Sequence, residues 1–497
     1  MARLGVVSDK RSPAERPASA EAATLLLSAL RVFADYSPEV LDLGRRFAAA
    51  GHELALVGGP VRDAFLGRRS GDLDFATSAR PEETEAILAH WAHTHWDIGR
   101  EFGTIGARKG DVIVEVTTYR TEAYDPDSRK PEVVYGDTLA GDLSRRDFTV
   151  NAMAVRLPDL EFVDPFGGLD DLAAKVLRTP AGADQSFDDD PLRMMRAARF
   201  VAQLGFEVTE DVMTAMSAMA ERLEIVSAER VQAELVKLLV AAHPRSGLEL
   251  MVYTGLAGVV LPELPGMQLT IDEHHRHKDV YEHTLTVLDQ AIDLETGPAG
   301  AVPGPDLVLR LAAILHDVGK PATRRHEPGG GVSFHHHEVV GAKLATKRLK
   351  ALRFDKATIA AVSKLVFLHL RFHGYGEARW SDAAVRRYVT DAGEQLERLH
   401  RLTRADCTTR NQRKAARLSH AYDDLEGRIA ALAEQEELDA IRPDLDGNQI
   451  MEILGLEPGR AVGQAYQHLL ALRMEHGPLA PEAAIAALRQ WWAEQQD

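Results

Sequence analysis

Apolar residues follow two different rhythms along this chain. Near the amino terminus they come in short blocks. Glu53-Leu-Ala-Leu-Val57 reads as a strand running into Gly58-Gly59, and a short amphipathic helix follows from Pro60 to Leu66. Asp72-Leu-Asp-Phe75 comes next, then a helix opened by Pro81. Gly103–Arg108 and Val112–Tyr119 read as two strands joined by the turn residues Lys109-Gly110-Asp111. After about residue 170 the period changes to 3.6 and almost no strand pattern follows. The pattern predicts an α+β fold: a head with a small mixed sheet, followed by helices only. The segments Pro262–Gly266 and Gly297–Pro305 are candidate breaks, the second of them also readable as a loop between helices.

Length and charge narrow the picture. The 497 residues suggest about three domains, each able to bury a core. The formal net charge of −17 gives no global attraction to nucleic acid or anionic membrane, so a polyanion partner must be held by a local basic patch or by metal ions. The only cysteine, Cys407, excludes an intrachain disulfide and fits a reducing compartment. The first twenty residues lack the apolar core of a secretory signal, and stretches such as Leu311–Leu315 are too short to span a bilayer. A cytoplasmic protein without membrane attachment is expected.

The chemistry concentrates in three places. In a strand, positions i and i+2 share a face, so Asp72 and Asp74 present two carboxylates side by side that can bridge two divalent cations. Such ions activate a hydroxyl and stabilise a leaving pyrophosphate, as nucleotidyl transfer requires. Gly58 and Gly59 allow a tight turn that brings backbone close to a triphosphate, and Arg62 and Arg68 could add positive charge. Glu115, among the apolar neighbours of Val112–Val116, either faces the same metals as a third carboxylate or is a salt-bridged strand acid.

In the second place, Asp189-Asp190-Pro191 looks like a helix start, with an Asp cap and proline at the first helical position. Asp190, Arg193, Arg196 and Arg199 recur every three residues and predict a polar ridge. A carboxylate only accepts and a guanidinium only donates, so one Asp/Arg pair matches the donor–acceptor edge shared by cytosine and adenine and mismatches uracil and guanine. The other reading makes Asp190 a plain cap and leaves the arginines in solvent.

Five ordered segments resemble class II tRNA nucleotidyltransferases, the CCA-adding enzymes, and their relatives the bacterial poly(A) polymerases. They are Gly58-Gly-Pro-Val-Arg-Asp63 with Asp72-Leu-Asp74, Val114-Glu-Val-Thr-Thr118, Arg145-Arg-Asp-Phe-Thr-Val-Asn-Ala152, Asp190-Pro-Leu-Arg193 through Phe200, and Glu229-Arg230 with Glu234. The resemblance implies a polymerase-β-like nucleotidyltransferase head in which Asp72 and Asp74 bind catalytic Mg2+. It makes Asp190 and Arg193 the protein template for the incoming base, and has Arg146 and Asp147 hold the nucleotide sugar and phosphates. Tyr124–Tyr135 fits the family's mobile loop or an ordinary surface loop. Pro60 stands where the family usually has a small residue, and suits a first helical turn.

The third place is the stretch 274–373, which holds eleven of the 20 histidines. The apolar run Leu307–Leu315 ends in His316-Asp317, with Gly319 expected as a helix stop and Pro321 beyond it. His283, His337, His369 and Asp406 could complete a divalent metal site, with His335 and His336 competing for the place of His337. This set resembles the HD phosphohydrolase superfamily, which implies an all-helical domain holding a divalent transition metal or Mg2+. Two basic runs, Lys343–Lys356 and Arg398–Lys414, either touch RNA phosphates or are solvated helix faces.

The expected organisation is a disordered arm (1–25), a head (26–175), a helical neck that recognises the base (176–265), an HD domain (266–415) and a helical tail (416–497). The expected function is template-independent addition of C, C and A to the tRNA 3′ end from CTP and ATP. A poly(A) polymerase or a CC- or A-adding enzyme is the nearest rival. An HD phosphodiesterase or phosphatase with an RNA-binding head is the rival of another class. The sequence leaves the oligomeric state open.

Overall fold

The structure is a computed structural model that describes Ala29, Val32 and residues 38–69, 71–123, 132–268, 279–328, 332–375, 380–409, 411–436 and 442–496. The expected amino-terminal arm and most of the Tyr124–Tyr135 loop lie outside the described residues. The chain divides into two compact units, one ending at Val260 and one beginning at Leu261.

In the first unit the first nine strands are β1 (Leu54–Val57), β2 (Asp72–Thr77), β3 (Thr94–Trp96), β4 (Thr104–Lys109), β5 (Val112–Thr118), β6 (Arg120–Ala123), β7 (Glu132–Tyr135), β8 (Ala154–Leu157) and β9 (Glu161–Val163), and two short ones, Val176–Leu177 and Glu207–Val208, pair in parallel further on. Seven of them form one sheet in the order β3-β4-β5-β2-β1-β8-β9. It is mixed: β2 and β5 run parallel and the other neighbours are antiparallel. The central β1 is buried at all four positions, as its uninterrupted Leu-Ala-Leu-Val requires.

One sheet face carries Ala55, Val57, Ala76 and Ala154, packed with Leu139, Leu143 and Ala152. Small side chains there let the Leu139–Ser144 helix and the Thr149–Asn151 turn sit close to the strands. That cover ends before the start of β2. Hence the face occupied by Ala76 is buried while Asp72 and Asp74, in phase with it, stay exposed. Beyond the sheet and two short strand pairs the described part of the unit is helical, with Leu192–Leu204, Ala228–Leu239 and Pro244–Tyr253 packed on one another.

The second unit is helical apart from one pair of two-residue strands, among the described residues. Helices Val280–Asp293, Leu307–Leu315, His337–Ala351, Lys356–Leu368 and Leu396–Asp406 pack together. The last three helices, Gly447–Leu454, Arg460–His476 and Pro481–Glu494, enclose a core of Ile450, Ala465, Leu469, Ala484 and Leu488. No helix among the described residues is long and apolar enough to cross a membrane.

Gly319 corrects one expectation. The apolar helix already stops at His316, and Gly319 precedes a short helix, Lys320–Thr323, with Pro321 in its first turn. The glycine is required by contact. A Cβ there would lie 2.1 Å from the His337 carbonyl oxygen and 2.7 Å from the Gly341 nitrogen, so only glycine lets these segments touch.

Candidate active site and metal centre

The register of β2 with β5 sets Asp74 beside Glu115, on the same exposed face. Glu115 therefore stands next to Asp74 across the strand pair. Lost solvation and then the Glu115 charge raise the Asp74 pKa; Arg146 pulls it down and Asp72 adds to the rise. Three like charges gathered on one surface are costly without a cation.

The register of β1 with β2 carries this row of the sheet to the end of β1, where the chain turns at Gly58. Gly58 has φ 74° and ψ −133°, and a Cβ there would stand 2.8 Å from Nη1 of Arg146. Glycine thus permits the backbone angle and seats the guanidinium against the turn. Arg146 is also held by Asp142, a 1% exposed carboxylate 3.2 Å from its Nη2.

Arg62 carries its positive charge within a local network. It donates to Asp63 at 2.7 Å and to Oδ1 of Asn151 at 2.8 Å, and lies over the Phe200 ring. Asn151 donates in turn to Oδ1 of Asp147 at 2.9 Å. Asp147 is buried and accepts from the Phe148 N–H and twice from Arg196, at 2.6 and 2.8 Å. Burial alone would raise its pKa, but the Arg196 charge and these hydrogen bonds overcome it and hold the carboxyl at about 2.

The ridge on Leu192–Leu204 is more buried than its spacing implies. Arg193 and Arg199 are each 8% exposed. Arg193 donates to Oγ of Ser186 at 2.9 Å and to the Arg145 carbonyl at 2.6 Å, tying the helix to the segment that carries Arg146. Arg199 pairs with Glu234 at 2.6 Å and covers Phe200. Asp190 lies just before the helix, one residue earlier than a Pro191 first turn would put it. It accepts from the Leu192 N–H and from Arg230 at 3.1 Å each. Sequence reasoning assigned no role to Asn151, Asp142 or Ser186. The signal for Asn151 was present in Arg145–Ala152, whereas Ser186 had none.

In the second unit His283, His316, Asp317, His337, His369 and Asp406 converge, each at or near a helix end. His337, 5% exposed, is the member of its triplet that enters the cluster, while His335 and His336 face outward. Nδ1 of His316, His337 and His369 each donates to the carbonyl three residues earlier, at 2.8, 2.8 and 2.6 Å. A carbonyl can only accept, so every Nε2 is turned inward. His283 is oriented instead by Thr408, 3.1 Å from its Nδ1, a partner without any sequence signal.

The inward nitrogens meet in pairs. Nε2 of His283 and His316 lie 3.4 Å apart, and those of His337 and His369 3.3 Å apart. Two neutral imidazole lone pairs cannot face each other at this range without a proton or cation between them. Asp317 offers Oδ2 to His316 at 3.2 Å and Oδ1 to His337 at 3.3 Å, and Asp406 lies 2.9 Å from His283. Burial opposes protonation of His316, yet Asp317 and Asp406 raise its pKa to about 10; burial and the His316 charge push His369 down to about 3. Four imidazoles and two carboxylates so arranged suit a divalent cation, which would take the place of that proton.

Carboxylates on an open sheet face beside a glycine turn, backed by an arginine-lined helix, together with a separate histidine–carboxylate centre, define a nucleotidyltransferase joined to an HD-type domain. Comparison with known proteins carries this further. Residues 54–178 match the Poly A polymerase head domain, 205–267 the probable RNA and SrmB-binding site of polymerase A, and 280–411 the HD domain. Over 449 residues the chain is 35% identical to an A-adding tRNA nucleotidyltransferase of Deinococcus radiodurans, covering 88% of this chain and 96% of that protein. Over 230 residues it is 42% identical to a CCA-adding enzyme of Bacillus velezensis, covering 46% of this chain and 56% of that one.

Among solved structures, the Bacillus stearothermophilus CCA-adding enzyme in complex with CTP shares the fold, with a TM-score of 0.66 at 24% identity over 93% of this chain and 99% of that one. The Thermotoga maritima CCA-adding enzyme complexed with tRNA does so at 0.60 and 19%, over 95% and 98%. The chain belongs to the tRNA nucleotidyltransferase and poly(A) polymerase family, in the branch that carries an HD domain.

Proposed function

We propose that the chain adds C, C and A to the 3′ end of tRNA, taking CTP and ATP as donors and working in the cytoplasm. The observation that carries the reading is the meeting of Asp72, Asp74 and Glu115 on uncovered sheet beside the Gly58 turn and Arg146. Asp72 and Asp74 would hold Mg2+, with Glu115 as a third acid. Bound there, the metal supplies charge that acidifies the tRNA 3′ hydroxyl and neutralises the departing pyrophosphate.

The remaining work belongs to the chain. Arg146 lies where triphosphate oxygens would collect their countercharge. Asp147 acts through Arg196 and Asn151, holding the wall behind the nucleotide. Asp190 and Arg193 read the base edge. Their bonds to Arg230, Ser186 and the Arg145 carbonyl set the positions from which an acceptor and a donor are offered to cytosine or adenine. His283, His316, Asp317, His337, His369 and Asp406 would hold a divalent transition metal or Mg2+, whose charge would suit hydrolysis of a phosphate ester. The chain would then comprise a head (26–175), a neck (176–265), an HD domain (266–415) and a tail (416–497).

Addition of A alone is a second reading, because a relative that aligns with 88% of this chain is an A-adding enzyme. Incubating the purified protein with tRNA lacking its last three nucleotides, with CTP, ATP or both, separates the two. Ordered growth by C, C and A that then stops supports CCA addition. Growth only on tRNA already ending in CC supports A addition, unlimited A growth a poly(A) polymerase, and phosphate release without growth the hydrolase.

A further inference from the structure

We infer that the outward face of the His337–Ala351 helix is a contact surface for RNA phosphates, formed by Lys343, Lys347 and Lys350 and continued by Lys356. The inference rests on the tRNA reading and adds to it the part of the second unit that the RNA backbone follows.

Two basic runs in this unit have similar composition, and the structure separates them. In the first, Lys343, Lys347 and Lys350 are exposed at spacings of four and three, so they line one side of a helix over about 10 Å. Lys356, also exposed, opens the next helix. None of these four lysines has an ion pair among the described residues. The run Lys343–Lys356 contains six bases and a single acid, Asp355, in a chain of net charge −17. Arg348 is spent locally, on Glu263 at 2.8 Å.

The second run is neutralised over its first half, Arg398 to Arg404. Arg398 is bound by Asp306 at 2.8 Å, Arg401 by Glu397 at 2.7 Å, and Arg404 by Asp423 and Glu426 at 2.8 and 3.0 Å. Arg398 and Arg404 tie their helix to neighbouring segments, Arg401 pairs within its own helix, and all three have little charge left to offer. Opposed acids remove the attraction at Arg398, Arg401 and Arg404, whereas among the described residues no acid pairs with Lys343, Lys347 or Lys350. A row of unopposed ammonium groups is a point-charge track that fits a phosphate backbone without reading its sequence. Against so negative a chain, such a row is where a polyanion would settle.

The test compares the full chain with the Lys343→Gln, Lys347→Gln, Lys350→Gln variant, measuring equilibrium binding of tRNA lacking its last three nucleotides between about 50 and 200 mM salt. Three lost phosphate contacts should flatten the slope of log affinity against log salt by about 2 and weaken binding roughly tenfold or more at the low-salt end. The KM for ATP should not move. The matching triple Lys→Arg variant should restore the slope, and Arg401→Gln should leave it as in the parent. An unchanged slope in the triple glutamine variant, with its melting curve intact, overturns the inference even if tRNA is extended normally. A flattened slope in a protein that extends no tRNA supports the surface and overturns the substrate reading instead.

Discussion

Asp147 shows how a single carboxylate can tie a site together. It receives Asn151, the Phe148 N–H and Arg196, and Arg196 with Arg199 continues to Glu234. The Asp147 pKa falls from 3.8 to about 2 in the fold, so the stability it contributes is complete above about pH 4 and disappears as pH falls towards 2. The shift corresponds to about 2 kcal/mol. Asp147→Asn should therefore lower stability near neutral pH by about that amount or more, and flatten the acid limb of the unfolding curve between pH 4 and pH 2. An acid limb identical to the parent's would contradict this assignment. Arg193 makes a different prediction, because its guanidinium is held by Ser186 and the Arg145 carbonyl. Arg193→Ala should lower the preference for CTP and ATP over UTP and GTP by about tenfold or more in kcat/KM. A uniform loss over all four nucleotides would instead reduce Arg193 to a structural tie.

Gly58 is the element that joins strand and site. Gly58→Ala places a side chain at positive φ and pushes Arg146 from its seat, so the KM for nucleotide should rise several-fold with about 1 kcal/mol lost in stability. An unchanged KM would separate Arg146 from the triphosphate. The strands and helices around this turn were legible because their periods are simple, and Asp72 and Asp74 because period two puts them on one face. The exposure of that face at Asp74 and its burial at Ala76 were not legible, since they depend on where a later helix, Leu139–Ser144, stops covering the sheet. The arginine ridge was legible as a spacing, but its burial was not: Ser186, Arg145 and Glu234 come from other elements. Among the histidines, composition marked the region while the choice of His337 over His335 and His336 depended on which way a helix start faces. Gly319 was read as a helix stop because contact between distant backbones leaves no mark on local sequence.

At the scale of the whole molecule two chemistries sit in two compact units, and they should fail independently. His316→Ala removes a buried cluster member and should lower metal content and the melting temperature, while tRNA extension persists. Chelation of bound metal should likewise lower the melting temperature by several degrees, reversibly on adding the ion back. A melting curve indifferent to chelator would count against a metal held by the histidine cluster.

In the proposed reaction the sheet-borne acids Asp72 and Asp74 drive nucleotidyl transfer. Its most direct test is the extension of tRNA lacking its last three nucleotides, followed in CTP and ATP for the parent and for Asp74→Ala. The parent product should grow by C, C and A and then stop, and the variant should lose at least about a thousandfold in rate, with the fold and metal content of the histidine cluster unchanged. Extension by Asp74→Ala at the parent's rate would contradict it.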